Sequence, residues 1–201
     1  MKRIFNRPLA YKRLLLGVII ALTGPITSAP GQSLLDAENL LVAQPPGFKV
    51  GYQSSHDNTS LTEWVPSGET VQDWTQMLTV QIFRHATVDP ATFLKGIGSR
   101  WEGDCPASTH KGIFTGQVNG YVVSMLVLRC PKNPTTGKPE TTAFRAIKGN
   151  DALYSVQRAF RSDASDKDLD DVMHYLAKVT VCDTRGTDHS CPSLDTVAPP
   201  K

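Results

Sequence analysis

The pair Asn119-Gly120, followed at once by Tyr-Val-Val-Ser-Met-Leu-Val-Leu at residues 121–128, limits this chain more than any other stretch. Asparagine and glycine both tolerate positive φ, so the pair favours a tight hairpin turn between the segments 109–116 and 121–130. An arm so uniformly apolar must hide both of its faces, which predicts a central strand of an antiparallel sheet covered on each side. Helices are the natural cover. Asp89-Pro90 reads as an N-cap followed by a proline where the missing N–H does no harm, and Phe93, Leu94, Ile97 and Trp101 continue at helical spacing. Ser165 caps a last helix whose Leu169, Val172, Met173 and Leu176 form one stripe, with a strand over 179–182 behind it.

Residues 63–84 add the second constraint, because they join two tryptophans, a turn and the clearest alternating strand. Pro66-Ser67-Gly68 is turn chemistry, and Thr70-Val-Gln-Asp73 matches a capping box that predicts one or two helical turns around Trp74. Leu78, Val80 and Ile82 then alternate with more polar neighbours. Upstream, Phe48, Val50 and Tyr52 mark a half-buried strand that returns over 59–65 through a turn at His56-Asp-Asn58. Before it, 33–43 carries apolar residues at helical spacing with Ser33 as N-cap, and Pro45-Pro46-Gly47 ends that short helix. Downstream, the proline-rich run 131–140 is a loop, and a further hairpin pairs 141–148 with 153–161 across Gly149-Asn-Asp151. The expected fold is α+β, an antiparallel sheet of about six to seven strands with helices packed on it.

With 201 residues, 40% apolar and 20% charged, the chain has room for one well-buried domain. Its formal charge of +2 hides an asymmetry. Lys2, Arg3, Arg7, Lys12 and Arg13 precede residue 32 and no acidic residue does, leaving sixteen basic against nineteen acidic groups in the remainder. A mildly acidic body gives no reason to expect nucleic acid as a partner. The basic start leads into the apolar run 14–22, too short to span a bilayer and typical of a secretory signal. Ala29-Pro-Gly31 fits a small-residue cleavage site, so 1–31 is expected to be a signal peptide, 32–183 a single α+β domain and 184–201 a tail pinned by a disulfide. The expected location is the periplasm or the exterior, with no membrane span once the signal is removed.

The order of elements after Pro45 and the terminal helix and strand resemble the PsbP-like α/β/α sandwich of small exported proteins. Trp64-x-x-x-Gly-Glu69, Trp74, Arg129-Cys-Pro-Lys-Asn-Pro-x-x-Gly-Lys-Pro-Glu140 and Val181-Cys-Asp-Thr-Arg185 resemble a family of uncharacterised exported bacterial proteins. That resemblance spans most of the chain after the signal and implies no activity.

Four cysteines in an exported chain are most simply two disulfides, and of three pairings we favour Cys105 with Cys130 and Cys182 with Cys191. The first would tie the end of a helix to the apolar strand, and the second would pin the tail. Metal ligation by Cys182, His189 and Cys191 is the competing reading, which the absence of CxxC spacing opposes. No metal and no cofactor is expected. Nor is there a catalytic constellation: His56, His85, His110, His174 and His189 are scattered, and no Gly-x-Ser-x-Gly elbow is present. Asp166, Asp168, Asp170 and Asp171 suit the start of the last helix, where negative charge meets the helix dipole.

Two surfaces remain as candidates. His85 beside Arg84, at the end of the key strand, is one. Arg145 and Arg161, on two strands expected to pair, are read as a basic strip beside Tyr154, either a solvated outer face or a groove for an anionic lipid, glycan or peptide terminus. Trp64, Trp74 and Trp101 are read as core residues before stacking platforms. The function expected first is a periplasmic binding or assembly factor of unknown ligand, the partner being an envelope protein or an anionic small molecule. An enzyme centred on His85 and Arg84 is the second reading, and a structural partner of an envelope or secretion complex, touching it through 131–140, is the third.

Overall fold

A computed structural model describes residues 37–192; the expected signal peptide, the first residues of the expected helix over 33–43 and the end of the tail lie outside them. The chain begins with β1 (Glu38–Leu41), then lays down a meander of β2 (Phe48–His56), β3 (Thr59–Pro66) and β4 (Gln76–Arg84). Helix α1 (Pro90–Asp104) carries it to the far edge of the sheet. There β5 (Thr109–Val118), β6 (Tyr121–Cys130), β7 (Glu140–Lys148) and β8 (Ala152–Phe160) step back until β8 pairs with β4. Helix α2 (Asp166–Ala177) and β9 (Thr180–Asp183) close the order. The result is a seven-stranded antiparallel sheet, β2-β3-β4-β8-β7-β6-β5, and a separate two-stranded sheet, β1-β9.

Alternation along the strands divides the core into two layers. On one face Leu126, Leu128, Phe144 and Ala146 meet Leu94 of α1, with Trp101 set edge-on to Phe144. On the other, Val123, Ile147, Tyr154 and Val156 meet Leu169, Val172 and Leu176 of α2 and Val181 of β9. The expected α+β class holds, with the sheet as the middle layer. The strongly apolar β6 is indeed covered on both faces, but it lies one strand from the edge; β7 and β8 occupy the centre and are buried along almost their whole length.

Local chemistry accounts for the element boundaries. Asp89 caps α1 by accepting from Thr92 N at 2.9 Å with Pro90 in the first turn, and Ser165 and Asp168 form a full capping box at α2. Asn119 and Gly120 sit at φ 47° and 79°, the doubly left-handed turn that a two-residue hairpin requires. Both expected disulfides are present, Cys105–Cys130 and Cys182–Cys191, which removes the metal reading for Cys182, His189 and Cys191. Among the described residues no group of three His, Cys, Asp or Glu is placed to hold a metal ion, and no helix is long and apolar enough to cross a membrane.

Two expected helices do not form among the described residues. Within the expected helix over 33–43, Glu38–Leu41 is a strand: Leu40 lies opposite Val181 and Asn39 opposite Cys182. Its apolar residues serve cross-strand pairing with a segment that local spacing could not foresee. At 70–73 the expected cap forms its hydrogen bond, Asp73 N to Thr70 Oγ1 at 3.1 Å, yet the chain bends instead of coiling. Glu69 takes over, accepting from Thr75 N at 2.6 Å and Thr75 Oγ1 at 2.7 Å, and this turns the backbone directly into β4.

Candidate cleft between the two sheets

The small sheet does not lie flat on the large one. Between β1 and the strands β3, β4 and β8 a cleft of about 600 Å³ opens, within the usual range for small-ligand sites. Its floor is built by alternation: Thr62 and Trp64 from β3, Val80 and Ile82 from β4, Ala152 and Tyr154 from β8. Leu40 and Val42 form the facing wall, and Arg84, His85 and Asp151 the rim at one end.

The wall is fixed through one carboxylate. Glu38 reaches over the β7–β8 turn and accepts from Asn150 N at 2.6 Å, Asp151 N at 3.0 Å and the Tyr154 hydroxyl at 2.9 Å. Gly149 makes this seat possible, since a Cβ there would lie 2.2 Å from Glu38 Oε1. Burial first, and then the Glu38 charge, push the Tyr154 phenol far above its ordinary value, so it stays protonated and donates.

A second clamp comes from the end of β9. Arg185 grips Asp183 with Nε 2.9 Å from Oδ1 and Nη2 2.6 Å from Oδ2, and the same Nη2 lies 2.9 Å from Asp151 Oδ2. The Arg185 hydrogen bonds, side chain before backbone, hold the Asp183 carboxyl down at about 2. Beyond it, Asp183 N donates to His189 O at 2.7 Å, and the His189 ring stacks on Tyr121 with centroids 4.0 Å apart. Asn119 Nδ2 donates to Val181 O at 2.9 Å. What the sequence marks as a tail after Asp183 is therefore built into the molecule as far as Cys191.

Of the expected site residues, Arg84, His85 and Tyr154 meet in this cleft, Tyr154 in its floor and the other two exposed at its rim. His85 adopts φ 60°, a left-handed conformation uncommon outside glycine, and its N–H donates to Asp151 O at 2.9 Å. Among the described residues the side chains of Arg84 and His85 have no hydrogen-bond or ion-pair partner.

The expected basic strip does not form. Arg145 is 6% exposed beneath the α2 layer, its Nη1 3.7 Å from Met125 Sδ and its Nε without a partner. Arg158, also buried, donates to Gln76 Oε1 at 2.9 Å and lies between the rings of Phe48 and Tyr175. Burial lowers both guanidinium pKa values. Arg161 lies past the end of β8, 4.2 Å over the Trp74 ring, in the cluster where Met77 and Ala159 point away from the α2 layer. Arg145 and Arg161 thus belong to different faces, and neither lines the cleft.

No protein-family model and no curated protein matches the chain. Among solved structures it aligns with the Ran-binding protein Mog1p of Saccharomyces cerevisiae over 71% of its own length and 85% of that chain, at 10% identity and a TM-score of 0.42. It aligns with the cyanobacterial PsbP protein CyanoP of Synechocystis over 77% and 95%, at 13% identity and 0.41. A third is LpqN, involved in cell envelope biogenesis of Mycobacterium tuberculosis, over 73% and 84%, at 16% identity and 0.39. These are likenesses of fold alone.

Glu38 and Trp64 are the contributors that sequence reasoning misses. Trp64 is only partly buried against the α2-side core, with the cleft on its free side. Glu38 had no local signal, because its partners lie more than a hundred residues away.

Proposed function

We propose that this chain is an exported binding or assembly factor of the cell envelope, stabilised by its disulfides, whose cleft receives a small ligand without transforming it. The observation that carries the reading is the state of the cleft's charges. Both carboxylates in its lining, Glu38 and Asp151, are engaged by donors of the protein itself, whereas the side chains of Arg84 and His85 at the rim have no partner among the described residues. A general base needs a carboxylate or imidazole within reach of a nucleophile, and the hydroxyls of the lining are Thr62 and a Tyr154 already committed to Glu38. Recognition needs less: concavity, an apolar floor and a few unsatisfied polar groups. The paired cysteines and the signal-like start support a location outside the cytoplasm.

The reading is tested by producing the full chain with its own leader in a bacterial host. Periplasmic recovery without free thiols is expected, together with a low-mass species retained in native mass spectrometry after incubation with periplasmic extract. Thr62→Trp, which fills the floor, should abolish that retention. Cytoplasmic recovery, or equal retention by T62W, would overturn the reading.

A further inference from the structure

The two ends of the cleft differ in chemistry, and we propose that its ligand is a small amphiphile whose anionic head, a carboxylate or phosphate, is held at Arg84 and His85 while an apolar chain lies along Ile82, Val80 and Trp64. This rests on the cleft being a binding site and adds the class of its ligand.

Val80, Ile82 and Arg84 follow one another on a single face of β4, since side chains of one strand alternate between faces. At about 3.3 Å per residue, the line from Arg84 to the level of Val80 is about 13 Å long. Along it the floor is apolar or aromatic except for Thr62, and Leu40 and Val42 close it from above. Beside Trp64 the apolar surface continues, since Val50 pairs with it in register and is 52% exposed.

The rim holds both Asp151 and Arg84, but the charge left without a partner among the described residues has one sign. A cleft built for a cation would leave its carboxylates open, yet Glu38 is taken by three donors and Asp151 by Arg185. Arg84 is the charged side chain of the lining without a partner among the described residues, and a guanidinium fork suits the paired oxygens of a carboxylate or phosphate. His85 supports the same end. A histidine held at φ 60° where glycine would be unstrained costs stability, and such outliers gather where a side chain is needed in one place.

Calorimetric titration of the oxidised protein separates the possibilities, using decanoate and decyl phosphate below their micelle concentrations, decanol as the uncharged chain and inorganic phosphate as the head alone. Decanoate or decyl phosphate is expected to bind at least about tenfold more tightly than decanol, the tighter of the two naming the head, and phosphate alone to bind at least as much more weakly. Arg84→Ala should remove the difference between anion and alcohol. His85→Gly should weaken the anions while leaving the melting temperature equal or higher, which separates lost recognition from lost folding. Equal binding of decanol and both anions, unchanged anion binding in R84A, or binding of phosphate alone as tight as decyl phosphate would overturn the amphiphile while leaving the cleft as a site. No binding of any chain-bearing probe would likewise overturn the amphiphile, and the retention assay with Thr62→Trp decides separately whether the cleft is a site.

Discussion

A single carboxylate, Glu38, sets the geometry of the cleft, and its seat over Gly149 makes a sharp test. Gly149→Ala places a methyl group where Glu38 Oε1 now lies, so it should destabilise the wild type by about 1–3 kcal/mol, whereas in a Glu38→Ala background the same change should cost much less. Urea midpoints of the four proteins give the coupling, and additive effects would show that the turn does not hold Glu38. Nothing near residue 38 in the sequence announces this role, because the donors belong to a turn at the other end of the chain. The sequence assigns Arg84 and His85 to one surface and Tyr154 to another, and only the pairing of β4 with β8, far apart in the chain, brings the three into one cleft. Arg145 escapes the sequence because parity within a strand predicts a face and not what covers it, whereas Arg161 has the opposite parity to Tyr154 and falls on the other face. Arg145 shares the face of Tyr154, and α2 buries it.

Among the elements, those whose ends carry their own chemistry were plain in the sequence. Asp89-Pro90, Ser165 with Asp168, and Asn119-Gly120 each satisfy or bend the backbone locally, and each boundary falls where they place it. The strand β1 is hidden because Glu-Asn-Leu-Leu, with two apolar residues in four, fits a helix as well as an edge strand, and only β9 decides between them. The β1–β9 sheet is also the element with an acid-sensitive fastening. The Asp183 carboxyl is lowered in the folded protein, so its contribution is present above the unfolded value near 4 and is lost as pH falls through the folded value of about 2. Thermal unfolding from about pH 5 to about pH 2 should therefore fall more steeply in the wild type than in Asp183→Asn, which begins lower and flatter. Parallel curves would mean that the grip of Arg185 on Asp183 has no weight.

At the scale of the molecule, the disulfides divide the work. Cys105–Cys130 ties α1 to β6 across a separation of 25 residues, and removing it as a Ser pair should lower global stability by about 3 kcal/mol. Cys182–Cys191 spans nine residues around β9, so its removal should act locally. Amide exchange is expected to quicken in Glu38–Leu41 and Thr180–Asp183 while β7 and β8 keep their protection; uniform loss would contradict a separable clamp. The pairing of β1 with β9 has one more effect, on timing. Glu38–Leu41 is the first described strand to leave the ribosome and β9 the last, so the meander and hairpins can form early while β1 waits for its partner. The cleft is consequently the final feature to appear in each new copy, and a truncated or stalled chain reaches a folded sheet without ever acquiring a place for a ligand.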